Sequence, residues 1–173
     1  MPTVTEGKLK FDFPAGYEIE KYDNWSFYIN QFQKVAESKA VDFIVYSPNA
    51  STVWLLEVKD YRLNSRTKEI PVENEIAQKI RDTLAGMVAA RSNTNVSHER
   101  GFAQRCLTPG IRFNVVLHIE QPKHPSRRFP REYDLADILQ KLKALIKPID
   151  AHPKVVEIAT TVGRLPWNVD SLP

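Results

Sequence analysis

The sequence predicts an α/β fold in which helices flank a mixed central β-sheet. Three observations favour this class. Two apolar runs of strand character stand close together at residues 41–46 and 53–61. A long stretch with helical periodicity follows them. A cleanly alternating strand, a second amphipathic helix and a final apolar run then complete the order strand, strand, helix, strand, helix, strand, which indicates a hairpin followed by crossovers through helices.

The predicted hairpin is the clearest element of the first half. Residues 47–51 (Ser-Pro-Asn-Ala-Ser) separate the two runs and have typical turn composition. An antiparallel pair is therefore expected. Residues 1–16 are poorly specified, with no clear helix or strand pattern. Residues 17–32 are ambiguous between a strand around 27–32 and a helix across 27–37.

The second half is predicted mainly from periodicity. Apolar residues recur at helical spacing over 72–92, whereas 93–108 looks irregular. Residues 111–120 alternate as a strand. Asp134 is expected to cap a helix that runs to Ile146 and stops at Pro148. Residues 155–162 predict a last strand.

Length and composition indicate one soluble domain. The chain has 173 residues, 42% hydrophobic and 26% charged, with a net charge of +3. We expect a single domain over residues 1–173, with a core at about 25–120 and a C-terminal addition at 121–173. No apolar run approaches the roughly 20 residues of a membrane span. The lone Cys106, which has no internal disulfide partner, favours a reducing, cytoplasmic location.

Charged residues interrupt the two apolar strands of the hairpin. Asp42 lies in the first, and Glu57 and Lys59 share one face of the second because alternate strand residues point the same way. Buried charges persist only when they are paired or hold a metal. Asp42, Glu57 and the carbonyl of Val58 could hold Mg²⁺ or Mn²⁺, with Lys59 orienting an attacking water.

These residues resemble the PD-(D/E)XK nuclease superfamily. Val41-Asp42, then Glu57-Val58-Lys59 at the end of an apolar strand, then an amphipathic helix carry the resemblance. It implies a restriction-endonuclease-like fold with a four-stranded mixed sheet. It also implies a metal-dependent nuclease that hydrolyses phosphodiester bonds, in DNA by expectation, with catalytic residues Asp42, Glu57 and Lys59. Position 41 is Val where the motif has Pro.

The sequence leaves three alternatives open. Glu57 and Lys59 could instead form a solvated strand face with a weak ion pair. The same fold could act without catalysis as a nucleic-acid-binding or scaffold protein. The third alternative is an enzyme that acts on RNA. His118 is expected to be a hydrogen-bonded structural histidine rather than a catalytic or metal-binding one.

Nucleic acid is the expected partner, and a homodimer is possible. The basic stretch 121–131 contains no acid, and it could bind phosphates while Phe129 stacks on a base. The candidate nucleic-acid-binding residues are Gln78, Lys79, Lys123, Arg127, Arg128 and Arg131.

Overall fold

A computed structural model describes residues 1–64, 66–127 and 130–172. These residues form one α/β domain with a mixed sheet and flanking helices. In chain order its elements are β1 (Thr3–Glu6), β2 (Leu9–Asp12), β3 (Glu18–Lys21), α1 (Ser26–Asn30), β4 (Phe43–Ser47), β5 (Thr52–Asp60), α2 (Val72–Asn93), α3 (Ser97–Cys106), β6 (Arg112–Glu120), α4 (Leu135–Ile146), β7 (Lys154–Val156), α5 (Ile158–Thr161) and β8 (Asn168–Ser171).

The main sheet has five strands in the order β3-β4-β5-β6-β7. The β3–β4 and β4–β5 pairs are antiparallel, whereas the β5–β6 and β6–β7 pairs are parallel. The predicted hairpin and the mixed sheet are therefore confirmed. The sheet has one strand more than the four that the resemblance implied, because β3 pairs with β4 at the edge.

Two hydrophobic clusters cover the two faces of this sheet. One face, which includes Ile44, Leu55 and Val115, packs against α2, α3 and α4. The opposite face packs against a second, three-stranded sheet of order β1-β2-β8. Because side chains alternate along β5, Glu57 and Lys59 share the helix-covered face with Leu55. The fold thus directs both charged side chains toward the helices.

Sequence periodicity correctly predicted α2 and α4, the two helices with a clear apolar repeat. α2 and α4 lie within one residue of their expected bounds, and the Asp134 carboxylate accepts a hydrogen bond from the Ala136 N–H as an N-cap. None of the described helices is long and apolar enough to cross a membrane.

Three segments differ from expectation. Residues 1–16, where the sequence predicted no clear element, contain β1 and β2, and Leu9 and Phe11 of β2 are buried against the main sheet. The stretch 93–108 is not irregular throughout, because it contains α3, whose buried residues are Glu99, Phe102, Ala103 and Cys106. Where the sequence predicted a strand over 155–162, the structure has the three-residue strand β7, after which Glu157 and Thr160 form a capping box that begins α5.

Candidate functional site

A cleft with a volume of about 640 Å³ lies between α2 and the segment that leads into β4. Its wall is rich in charged groups rather than apolar ones. Its lining residues are Asp23, Tyr28, Gln33, Glu37, Ser38, Lys39, Ala40, Asp42, Lys68, Glu75 and Lys79.

Helix α2 fixes one wall of the cleft. Glu75, Lys79 and Asp82 follow one another at intervals of four and three residues, so they share one side of the helix. The Asp82 carboxylate accepts a hydrogen bond from the Lys39 N–H at 2.9 Å. The Thr83 hydroxyl accepts one from the Val41 N–H at 3.0 Å. These two contacts hold the segment before β4 against α2 and so position the next residue, Asp42.

Four charged side chains meet where β4 begins and β5 ends. The Glu57 Oε1 lies 2.6 Å from the Lys59 Nζ and 2.5 Å from the Lys79 Nζ. The Lys79 Nζ is also 3.8 Å from the Asp42 Oδ1, and the Val58 N–H donates to the Asp42 Oδ2 at 2.7 Å. The structure therefore brings together Asp42, Glu57 and Lys59, with Lys79 as the bridging cation.

Glu75 is the centre of a second group of charges beside the first. Its side chain is fully buried and its two carboxylate oxygens contact the Arg66 Nη2 and the Lys68 Nζ, each at 2.5 Å. The Lys59 Nζ lies 3.6 Å away and links the two groups. Sequence reasoning did not single out Glu75. The signal was available, since Glu75 and Lys79 have the i, i+4 spacing of a helical ion pair.

Burial and neighbouring charges shift the pKa values of these groups in different directions. Burial, reinforced by the nearby Glu57, raises the pKa of Asp42 to about 7. Burial also favours the neutral form of Glu75, but Lys68, Lys59 and Arg66 outweigh it and lower its pKa to about 2. Asp42 is thus the one of these two carboxyl groups that exchanges its proton near neutral pH.

Lys59 keeps its charge in spite of burial. Burial disfavours its ammonium form, yet the carboxylates of Glu57, Glu75 and Asp42 together raise its pKa above the usual range. The Glu57 Oε2 atom is buried and has no hydrogen-bond partner among the described residues.

A metal ion would have to compete with lysines for the same carboxylates. Both close contacts of Glu57 are ammonium groups, and Val58 faces Asp42 through its N–H. Within the described ranges, no group of three or more His, Cys, Asp or Glu side chains could hold a metal ion. The residues present do not fit a Mg²⁺ or Mn²⁺ site as they stand, and the ion at Asp42, Glu57 and Val58 stays a prediction.

The other candidate nucleic-acid-binding residues lie apart from the cleft lining. Gln78 lines a separate groove on the neighbouring side of α2. Lys123 and Arg127 are exposed, and the Arg131 guanidinium contacts both carboxylate oxygens of Glu157 at 2.9 Å. Arg128, like Phe129, lies outside the described residues.

His118 is enclosed by the second sheet. Its side chain is fully buried, its Nε2 lies 2.9 Å from the Glu120 Oε1, and the Phe11 ring packs edge-on against it. The same Glu120 oxygen accepts a hydrogen bond from the Ile158 N–H, at the start of α5. This arrangement supports the structural role that the sequence favoured.

The chain is similar to part of a protein named cysteine–tRNA ligase from Neisseria meningitidis serogroup A. The two are 32% identical over 210 aligned positions, which cover 99% of this chain and 30% of that protein. The chain thus spans about 30% of the length of the curated relative that it matches. No family model matches the chain, and no solved structure matches it.

This similarity corrects the predicted function. The expected metal-dependent nuclease, a hydrolase acting on DNA, is wrong, because the relative is named as a tRNA ligase. The charged groups that suggested a nuclease are paired with one another in the fold: Glu57 contacts two lysines, and Asp42 contacts the Val58 N–H and Lys79. A nucleic-acid partner is a separate prediction that does not depend on cleavage.

Proposed function

We propose that this chain is an RNA-binding domain with a tRNA-ligase-related role, and that tRNA is its ligand. One observation carries the proposal: nearly the whole chain aligns with a portion of a protein that is named as a tRNA ligase. Because that portion is 30% of the relative's length, we assign to this chain tRNA binding rather than the complete ligation reaction.

A charged network at the base of the cleft carries a small positive charge, whereas the lining as a whole, which also includes Asp23, Glu37 and Lys39, does not. Four cations and three carboxylates form one connected network, so its formal charge is +1 with all groups ionised and +2 when Asp42 is protonated. The members are Asp42, Glu57, Lys59, Arg66, Lys68, Glu75 and Lys79. Protein cations that neutralise phosphates supply most of the sequence-independent affinity for nucleic acid.

Three cations around the first half of α2 add positive charge to this side of the molecule, and two of them, Lys39 and Lys68, are placed to meet a phosphate backbone. Lys68 is held by Glu75, yet 57% of its side chain is exposed. Lys39 lines the mouth of the cleft, and its backbone is tied to α2 by Asp82. Arg81 is exposed on the adjoining side of α2. The side chains of Lys39 and Arg81 have no partner within the described part of the chain.

Binding of a cysteine tRNA transcript, followed by fluorescence anisotropy at several salt concentrations, tests the proposal. Lys39→Ala and Lys68→Ala should each weaken binding and reduce the slope of log K against log salt by about one phosphate contact. Arg112→Ala is the matched control. Arg112 is exposed and pairs with Thr52 at the opposite end of β5 from Lys59, about 23 Å away at the rise of a strand.

Two results would refute the proposal. Absence of tRNA binding at low salt would exclude it directly. Tighter binding of duplex DNA than of tRNA at equal salt would assign the surface to a different ligand. Circular dichroism melting of each variant shows whether lost binding comes from lost folding.

We also propose that the fold is restriction-endonuclease-like, without nuclease activity being implied. Glu57 and Lys59 near the end of β5, the antiparallel β4–β5 pair and the parallel β5–β6 pair joined through α2 support this. An experimental structure with a different strand order would contradict it. The predicted homodimer stays open to test by analytical ultracentrifugation.

A further inference from the structure

A second concave surface lies beside the cleft, on the neighbouring side of α2. It is a groove of about 280 Å³ between α2, the end of α4 and the residue before Pro71. Successive residues on a helix point about 100° apart. Asn74, Gln78 and Arg81 therefore form a stripe adjacent to the Glu75–Lys79 stripe that lines the cleft. The groove is lined by Ile70, Asn74, Ala77, Gln78, Arg81 and Leu145.

The polar groups of the groove are available to a ligand. The side chains of Asn74, Gln78 and Arg81 have no partner among the residues that the structure describes. Ile70 and Leu145 are large apolar side chains that remain 37% and 40% exposed. Apolar surface with a few convergent polar groups is typical of a small-molecule pocket, and 280 Å³ is near the lower end of the usual size.

The chemistry of this lining fits a single planar base. Asn and Gln amides each offer a donor and an acceptor side by side, and they pair with the N6 and N7 edge of adenine. An Arg guanidinium plane stacks on unpaired bases in RNA, and apolar side chains cover the faces of the ring. Lys68 stands two residues before Ile70 and lines the adjoining cleft, where the phosphate of the same nucleotide would lie.

We propose that this groove binds one unpaired adenine base of RNA. This inference rests on the proposed RNA-binding function and adds the chemical group that is recognised. Asn74 and Gln78 read the base edge, Arg81 stacks on the base, and Ile70 and Leu145 enclose it. Lys68 contacts the backbone and carries no base preference.

Anisotropy with two labelled single-stranded pentaribonucleotides tests the inference. One has adenine at its centre and the other is abasic there, so they differ in one base. Wild type should bind the adenine oligonucleotide about tenfold more tightly than the abasic one. Asn74→Ala and Gln78→Ala should each reduce that ratio to about threefold or less, with the affinity for the abasic oligonucleotide unchanged.

Control variants make the result specific. Gln104→Ala removes an amide from an exposed position of α3 and should keep the wild-type ratio. Arg81→Lys keeps the charge and loses the planar group. It should therefore lower the ratio of adenine to abasic affinity without changing the slope of log K against log salt. Equal binding of the two oligonucleotides by wild type, or an unchanged ratio in both amide variants, would overturn the inference alone. Failure of wild type to bind tRNA and both oligonucleotides would overturn the proposed function as well.

Discussion

A variant without the buried Asp42 carboxyl should gain stability over wild type as pH rises, because only wild type loses stability when this group ionises. The pKa of Asp42 is raised from 3.8 to about 7 by burial and by Glu57. Between these two values the folded state holds a proton that the unfolded state has released. Stability therefore falls as pH rises through this window. Asp42→Asn removes this titration while its amide oxygen can still accept from the Val58 N–H.

The magnitude follows from the two pKa values. At about 1.4 kcal/mol for each tenfold change in proton affinity, ionising Asp42 in the folded state costs up to about 4 kcal/mol. Roughly a third of that cost is already present at pH 5. The difference in unfolding free energy between Asp42→Asn and wild type should therefore grow by about 3 kcal/mol between pH 5 and pH 8, in favour of the variant.

Urea unfolding at constant ionic strength, at pH 5, 6, 7 and 8, measures this difference. The dependence of unfolding free energy on urea should stay the same in both proteins, so that midpoints compare directly. Asp170→Asn is the control, because Asp170 is exposed on β8. A difference between Asp42→Asn and wild type that stays constant from pH 5 to pH 8 would refute the reasoning.

Three further predictions concern packing, charge and binding. Gly86→Ala should destabilise the protein by about 1–3 kcal/mol in urea unfolding, because the new Cβ would lie 1.9 Å from the buried Tyr22 hydroxyl oxygen. Glu75→Gln should cost about 3 kcal/mol by the same assay, since it leaves the buried Arg66 without its carboxylate partner. Raising pH from 6 to 8 should weaken tRNA binding about threefold, because Asp42 ionises over this range and adds one negative charge beside Lys79.

Each of these predictions has its own control. Gly101→Ala meets no atom closer than 3.4 Å and should not destabilise, and Tyr22→Phe should relieve the cost of Gly86→Ala. Glu73→Gln, two residues from Glu75, should cost far less, since the Glu73 carboxylate lies 4.0 Å from its lysine partner. In Asp42→Asn, tRNA binding should lose its dependence on pH. Equal stability of the Gly86 and Gly101 variants, a neutral Glu75→Gln, or an unchanged pH profile in Asp42→Asn would each contradict the corresponding prediction.

Local sequence patterns were sufficient for the elements with strong periodicity. The hairpin, α2, α4 and β6 each combine a regular apolar pattern with clear turn or cap residues, so that short-range information specifies them. The same patterns brought Asp42, Glu57 and Lys59 to one place, because strand pairing and alternation determine which side chains meet.

Long-range pairing accounts for what the sequence did not predict. The second sheet joins β1 and β2 to β8, with Phe11 paired to Val169 across almost the whole chain. No local pattern predicts such a contact. It covers the face of β6 that carries His118 and buries that side chain. Glu75 was missed for a related reason, since its partners Arg66 and Lys68 come from a loop whose path the sequence leaves open.

The groups that surround Glu57 bear on two interpretations of Asp42, Glu57 and Lys59: a metal site, or a cluster that positions lysines. Two carboxylates with open oxygen atoms would attract a dication, whereas carboxylates that each hold a lysine instead position those lysines. In this chain both lysines contact the Glu57 Oε1 and Lys79 reaches Asp42, while the Glu57 Oε2 has no hydrogen-bond partner among the described residues. Protonation of Asp42 near neutral pH then leaves a cationic cluster at the base of the cleft. Such a cluster favours a phosphate anion, which is the chemistry that tRNA binding requires.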